Sequence, residues 1–302
     1  MIEVIFLGTG GIKPTPERNV PGIAIKIGRE IILFDVGEGT LRQMEIAGLS
    51  PMRINKIFIS HFHGDHYLGI PSIIQTMNLW HRRKPLHIYG PPGTAFFINN
   101  LLSSGYFRPS FEVIAIELME GEEVKEKEYR IKPFQVSHGI PAFGYIFKER
   151  DKRGNFNMNK IKALGLRPGP WMREVEKKGR VVINGIEIKL EDITGPKKKG
   201  AKVVYTGDTE PVPLGDIAKD VDLLIHDATY IDEEDRKESY HSTVKEACEV
   251  WESGVLVLFH RAPRYKYVEY KREALKICPK AYVPRDFDRV LVGNGNVVFK
   301  VR

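Results

Sequence analysis

Three histidines and an aspartate fall within seven residues in SHFHGDH (Ser60–His66): His61, His63, Asp65 and His66. Only nine of the 302 residues are histidine, so the clustering is not a compositional accident. The apolar run before it reads as a strand. In extended chain, side chains two apart point the same way, so His61 and His63 can converge on one ion. Gly64 permits a sharp turn, after which Asp65 and His66 can face a second position. Imidazoles with a carboxylate suit zinc, usually with one coordination position left for water. A single histidine of this kind would read as a surface residue near a turn; three with an aspartate at H-x-H-x-D-H spacing read as ligands.

Such a site needs more ligands, and later strand ends supply them: His138 in FQVSHGIPA, Asp208 in VVYTGDTE and His260 in VLVLFHRAPRY. The expected grouping is His61, His63 and His138 around one metal, and Asp65, His66 and His260 around another. Asp208 bridges, because a carboxylate has two oxygens. Paired metals activate water and stabilise the attacking and leaving oxygens of a phosphoryl displacement. Of the other histidines, His81 reads as surface and His87 as structural. His226 and His241 each end a run beside polar residues, and the residues alone leave open a general acid or a packed core group.

The elements that must hold these groups are short. Strands are expected at Glu3–Leu7, Ile23–Ile27, Ile31–Asp35, Lys56–Ser60, Leu86–Tyr89, Phe111–Ile116, Arg130–Val136, Ala142–Phe147, Lys202–Thr206, Asp222–His226 and Val255–Phe259, with further β-runs at the C-terminus. Helices are expected at Thr40–Ala47, Val244–Glu252 and Tyr267–Ile277. Two β-rich halves with intervening helices suggest an α/β sandwich of two sheets with helices outside. The GTGG at Gly8–Gly11 lacks the context of a phosphate loop and reads as a tight turn after the first strand.

Residues Glu149–Gly200 break the rhythm. They are basic, punctuated by glycine and proline, and show few core-like periodicities, as an excursion or a long solvated loop would. From Arg150 to Lys202 there are 15 Lys/Arg against 6 Asp/Glu, whereas the remainder carries 31 against 33, so the net charge of +7 belongs to this segment. A localised basic surface suits phosphates. No apolar run reaches the length of a membrane span, and the N-terminus does not read as a signal peptide. The two cysteines, Cys248 and Cys278, are no disulfide framework and are expected as reduced core residues in a cytoplasm.

SHFHGDHYLG resembles the signature of the metallo-β-lactamase superfamily. The fuller set resembles the ribonuclease Z family of tRNA 3′-processing endoribonucleases: PTPERN (Pro14–Asn19), FDVGEGT (Phe34–Thr40), SHGIPAFGY (Ser137–Tyr145), GPKKKG (Gly195–Gly200), YTGDT (Tyr205–Thr209), HDATY, YHST and HRAPRY. The resemblance implies one metallo-β-lactamase-like domain over 1–302, an αββα sandwich of two mixed sheets flanked by helices, with a protruding basic arm inserted at 149–200. It implies two Zn2+ per subunit on the ligands above, Asp65 as proton acceptor for the attacking water, and His241 assisting the leaving 3′ oxygen, oriented by Asp227. Cleavage of precursor tRNA would leave a 3′ hydroxyl on the tRNA and a 5′ phosphate on the trailer, in a cytoplasmic homodimer whose arms grip tRNA across subunits. GLRPGPW resembles the arm's tip, so the expected RNA contacts are Arg150, Lys152, Arg153, Arg167, Pro168, Gly169, Pro170, Arg173, Lys177, Lys178, Lys197, Lys198 and Lys199.

Two departures stand out. The family's usual HEAT is HDAT here, so Asp227 is one methylene shorter than glutamate and its reach to His241 is in question. The C-terminal motif usually has small hydroxylated residues after the histidine and reads HRAPRY here; His260, Arg264 and Tyr265 survive, and Pro263 removes a backbone donor near the site. The rival readings are another hydrolase of the superfamily acting on a small phosphodiester, thioester or lactone, which would not need the basic segment, and a non-catalytic RNA-binding relative, which would be expected to have lost ligands.

Overall fold

A computed structural model describes residues 1–234, 236 and 240–300. The chain divides into two compact units, one of Met1–Glu149 with the chain from Ala201 onward, the other Arg150–Gly200.

The larger unit holds two mixed sheets. The first contains β1 (Ile2–Gly8), β2 (Gly22–Ile27), β3 (Glu30–Val36), β4 (Ile54–Phe58), β5 (Leu86–Gly90) and β6 (Val113–Glu117), together with β15 (Arg289–Gly293) and β16 (Asn296–Lys300). Their spatial order is β16-β15-β1-β2-β3-β4-β5-β6. The second sheet is formed by β7 (Val124–Lys125), β8 (Tyr129–Gln135), β9 (Phe143–Glu149), β12 (Lys202–Tyr205), β13 (Leu223–Asp227) and β14 (Val255–Phe259), in the order β14-β13-β12-β9-β8-β7. In each sheet a parallel block (β3 to β6; β12 to β14) adjoins an antiparallel one.

Alternation along the strands builds the layers. Ile2, Val4 and Phe6 of β1 join Phe34, Phe58, Tyr145, Phe147, Tyr205 and Phe259 in the core between the sheets. Ile5 and Leu7 face the other way, into a cluster with Met44 of α1 (Thr40–Ile46), Ile73, Ile74 and Met77 of α3 (Ile70–Leu79) and Ile98 of α4 (Thr94–Ser103). The outer face of the second sheet is covered by α7 (Val244–Glu249) and α8 (Tyr267–Ile277), through Val244, Ala247, Tyr270 and Ala274. Strands apolar on both faces are buried on both, which is why they read as near-continuous hydrophobic runs. The result is the αββα sandwich implied by the motifs. The helices α3 and α4 were not among those expected from the sequence, nor was the short α2 (Gly64–Tyr67), which turns the chain immediately after His63.

The expectation of free thiols is overturned. Cys248 in α7 and Cys278 at the end of α8 are joined by a disulfide, with Cα atoms 6.0 Å apart. The two helices share the outer layer, and this tertiary adjacency of residues 30 apart has no signature in a two-cysteine sequence.

Residues Arg150–Gly200 also exceed what their composition suggested. They form α5 (Met158–Ala163), α6 (Trp171–Lys178) and a hairpin of β10 (Arg180–Ile183) and β11 (Ile186–Lys189). Ile161, Val175, Val181, Ile188 and Ile193 make a separate small core. Five apolar positions spread over 33 residues of charged sequence are too sparse to show a period. Among the described residues, no helix is long and apolar enough to cross a membrane.

Candidate metal centre

The ends of β3, β4, β12, β13 and β14, with the loop after β8, bring the ligand-type side chains together. His61 and His63 follow β4, Asp65 and His66 lie in α2, His138 follows β8, Asp208 follows β12, and His260 follows β14. Asp208 lies at the middle. Its Oδ2 is 3.8 Å from His61 Nε2, 3.2 Å from His66 Nε2, 3.9 Å from His138 Nε2, 3.1 Å from His260 Nε2 and 3.8 Å from His241 Nδ1. Nδ1 of His63 sits 3.1 Å from His61 Nε2 and 3.0 Å from His138 Nε2. Asp65 Oδ2 lies 3.6 Å from His66 Nε2 and 3.5 Å from His260 Nε2. Two of the possible cation clusters are thus His61–His63–His138 and Asp65–His66–His260; Asp208 also groups with His61 and His66, and with Asp227, His241 and His260.

Outer partners decide which ring nitrogen faces inward. His66 Nδ1 lies 2.7 Å from Asp35 Oδ2, and His138 Nδ1 lies 2.8 Å from the Tyr240 carbonyl. Both acceptors require Nδ1–H. His61 Nδ1 is 3.0 Å from Ser60 Oγ, whose own proton goes to Asp35 Oδ2 at 2.8 Å. His260 Nδ1 is 2.8 Å from Thr229 Oγ1, which donates to Asp227 Oδ1 at 2.7 Å. In all four rings the Nε2 lone pair therefore faces inward, the arrangement that orients ligating imidazoles. His66 Nε2, His260 Nε2 and Asp208 Oδ1 are buried with no hydrogen-bond partner. Lone pairs aimed at one another without a shared proton are costly, and a cation removes that cost, so the residues fit a metal.

Burial would lower His66, but the carboxylates of Asp208, Asp65 and Asp35 hold its imidazole well above the ordinary histidine range, so without an ion this ring draws the positive charge that a cation would supply. Burial would push Asp208 up, but His260, His66 and His241 hold its carboxyl well below the usual range, so it stays ionised. Burial keeps His61 neutral, the ligating form. Asp65 is pinned by the Ile12 N–H, 2.7 Å from Oδ2. Gly11 passes so close that a Cβ there would lie 2.2 Å from His260 Cε1. The turn expected at GTGG thus turns out to be a wall of the site.

Beside the cluster, His241 Nδ1 donates to Asp227 Oδ2 at 2.9 Å. The shorter HDAT carboxylate therefore reaches its histidine. Asp227 also accepts from Thr209 N at 3.0 Å, Thr229 N at 2.9 Å and Thr229 Oγ1. His226 is fully buried, with Nδ1 on the Asp227 carbonyl, outside every possible cation cluster among the described residues. His81 is exposed and His87 lies in β5. The residues without a sequence signal of their own are Asp35, Ser60, Thr229 and Tyr205, whose hydroxyl donates to Asp35 Oδ2 at 2.6 Å. An aspartate closing the apolar run IILFDV is the one hint among them.

In the smaller unit, Arg150, Lys152, Arg167, Pro168, Pro170, Arg173, Lys177, Lys178, Lys197 and Lys199 are exposed, while Arg153, Gly169 and Lys198 are half-buried. Arg153 pairs with Glu176 at 2.6 Å and covers the Phe156 ring, so it is tied into that unit. Lys178 pairs with Glu174 and Lys198 with Asn155. The Trp171 indole donates to the Arg167 carbonyl at 2.9 Å, clamping the Gly-Pro turn.

The fold is shared with proteins of known structure. The metallo-β-lactamase fold protein YhfI from Bacillus subtilis superposes with a TM-score of 0.67 at 15% identity, covering 95% of this chain and 98% of its own. Human tRNase Z, short form, superposes with a TM-score of 0.68 at 26% identity, covering 96% of this chain and 99% of its own. A family model described as anti-Pycsar protein Apyc1 matches residues 2–150, just under half of the chain and ending before Asp208, His241 and His260. The proteins named ribonuclease Z from Pyrococcus horikoshii and Pyrococcus furiosus are each 64% identical to this chain, with both chains covered in full. The chain belongs to the ribonuclease Z family.

Proposed function

We propose that the protein removes the 3′ trailer of precursor tRNA, cutting after the discriminator base to leave a 3′ hydroxyl on the tRNA and a 5′ phosphate on the trailer. It works in the cytoplasm as a homodimer with two zinc ions per subunit. Family membership over the full chain supports the reaction. The observation that carries the site assignment is the buried Asp208 carboxylate, with Oδ2 between 3.1 and 3.9 Å from five imidazoles and Oδ1 without a partner.

In this reading His61, His63 and His138 hold one zinc, Asp65, His66 and His260 the other, and Asp208 both. When bound, zinc supplies Lewis acidity, making water acidic enough to attack at neutral pH and offsetting phosphate charge. Asp65 takes the proton of the attacking water, with its carboxylate aimed by the Ile12 N–H. The bond between phosphorus and the tRNA 3′ oxygen breaks, and His241 gives that oxygen its proton from Nε2, since Nδ1 is committed to Asp227. Asp227 stabilises the protonated ring and fixes its orientation. The exposed cations Arg150, Lys152, Arg167, Arg173, Lys177, Lys178, Lys197 and Lys199 meet tRNA phosphates, with Pro168, Gly169 and Pro170 shaping the tip, so binding weakens as salt rises. Arg153 and Lys198 support that surface through their contacts with Glu176 and Asn155.

The test is an end-labelled precursor tRNA with the cut mapped to the nucleotide. Cleavage directly after the discriminator base, lost in Asp65→Ala, is the expected result. Random or absent cutting by the zinc-loaded protein overturns the assignment.

A further inference from the structure

The metal centre makes no use of the Arg261 side chain. It is only 4% exposed, and its Nε has no hydrogen-bond partner. Its guanidinium is covered by the rings of Tyr267 and Tyr270, with centroids at 5.2 and 5.6 Å. Arg18 lies beside it, donating from Nη2 to the Ala262 carbonyl at 2.6 Å, and its Nε is also buried and unpartnered. Two guanidinium groups with unsatisfied donors are therefore buried side by side, an arrangement that needs a counter-charge.

Both side chains line a cavity of about 660 Å³, with Lys266 and Arg285 further out. Arg285 stacks on the Tyr267 ring at 4.0 Å. The first turn of the eleven-residue α8 also lines this cavity, and no side chain caps that helix. Free N–H groups at a helix start favour an anion. The acids present do not fill the need. Glu17 and Glu269 are exposed, and Asp286, which lines the same cavity, sets one carboxylate against two buried guanidiniums, with its oxygens already accepting from the Thr9 amide and hydroxyl, the Asn19 amide and the Gln43 side chain.

We propose that this cavity is a second anion site, built for a phosphate group and centred on Arg261. Tyr267 carries cations on its ring and donates its hydroxyl to the Val283 carbonyl, while Phe287, the other ring in the lining outside the covered pair, packs against the apolar cluster behind the first sheet; the charged groups therefore set the ligand class, and it is phosphate chemistry. Two sources carry that chemistry: a backbone phosphate of the RNA being cut, or free phosphate. The backbone of Arg261 joins the site to the metal centre, since its carbonyl accepts from Gly11 N at 3.1 Å and Gly11 abuts His260.

The test titrates inorganic phosphate calorimetrically into metal-loaded protein, comparing the native chain with Arg261→Met and Arg285→Ala. The native chain is expected to bind one phosphate more than Arg261→Met. Arg285→Ala, an exposed change that spares the fold, should weaken that additional site about ten-fold, as loss of one charge-assisted contact does. Phosphate binding of equal stoichiometry and affinity in native and Arg285→Ala protein overturns the proposal, whether or not Arg261→Met folds. With the additional site present, a raised KM for precursor tRNA in Arg285→Ala identifies RNA as the source, and an unchanged KM identifies free phosphate.

Discussion

Restoring the family's usual glutamate at position 227 should harm this protein. Asp227 is 1% exposed, and its two carboxylate oxygens already accept four hydrogen bonds, from Thr209 N, Thr229 N, Thr229 Oγ1 and His241 Nδ1. With His241 at 2.9 Å there is no gap for an added methylene to close. Forcing one methylene into a filled core site costs about 1–3 kcal/mol, which for a chain of this size lowers the melting temperature by roughly 2–4 °C per kcal/mol. A carboxylate displaced by about 1 Å also misaims His241, and misplacement of that size can reduce turnover about 10²-fold. The measurements are thermal unfolding of Asp227→Glu and single-turnover cleavage of precursor tRNA under saturating enzyme. A variant that melts with the native protein and cuts at least as fast would refute the reasoning. It would mean that the four-donor cage is looser than its distances indicate.

Replacing Cys248 and Cys278 by alanine opens a link across 30 residues, which by loop entropy costs about 3.6 kcal/mol; a reductant that leaves the native protein's denaturation midpoint unmoved would contradict this. Excising residues 150–200 and joining Glu149 to Ala201 through a short glycine linker should abolish precursor tRNA cleavage while sparing hydrolysis of a nitrophenyl phosphodiester; undiminished tRNA cutting would remove the RNA-binding role from that unit. Chelation followed by dialysis should abolish cleavage and added zinc should restore it, with metal analysis reading two ions per chain; a single tightly held ion would count against the paired centre. His63→Ala should lower the metal content as well as activity, since His63 Nδ1 lies close to both His61 and His138; full metal content would place the ion elsewhere.

The strands were readable because their burial is two-sided and periodic. Ile2, Val4 and Phe6 turn to one core and Ile5 and Leu7 to the other, so β1 carries its assignment in seven residues. The ligand-type residues were readable because H-x-H-x-D-H is dense and because His138, Asp208 and His260 each follow an apolar run. Their supports were not. Asp35 meets Ser60, His66 and Tyr205 across separations of 25, 31 and 170 residues, and nothing local marks an aspartate as the organiser of a histidine pair. The disulfide was hidden for the same reason, since α7 and α8 meet on the outer face of the second sheet, with the two cysteines 30 residues apart in sequence. The folded basic unit was hidden differently: its five core residues are outnumbered by charged neighbours.

The backbone N–H of Glu149 donates to the carbonyl of Ala201 at 2.8 Å, so the larger unit closes its own ladder at the two points where the intervening 51 residues leave and return. The sheet ladder thus runs past the junction without a break, like a circuit with a socket wired in parallel. On the division of labour proposed above, exchanging residues 150–200 would rewrite substrate choice and leave every ligand-type residue of the metal centre in place, since all of them belong to the larger unit.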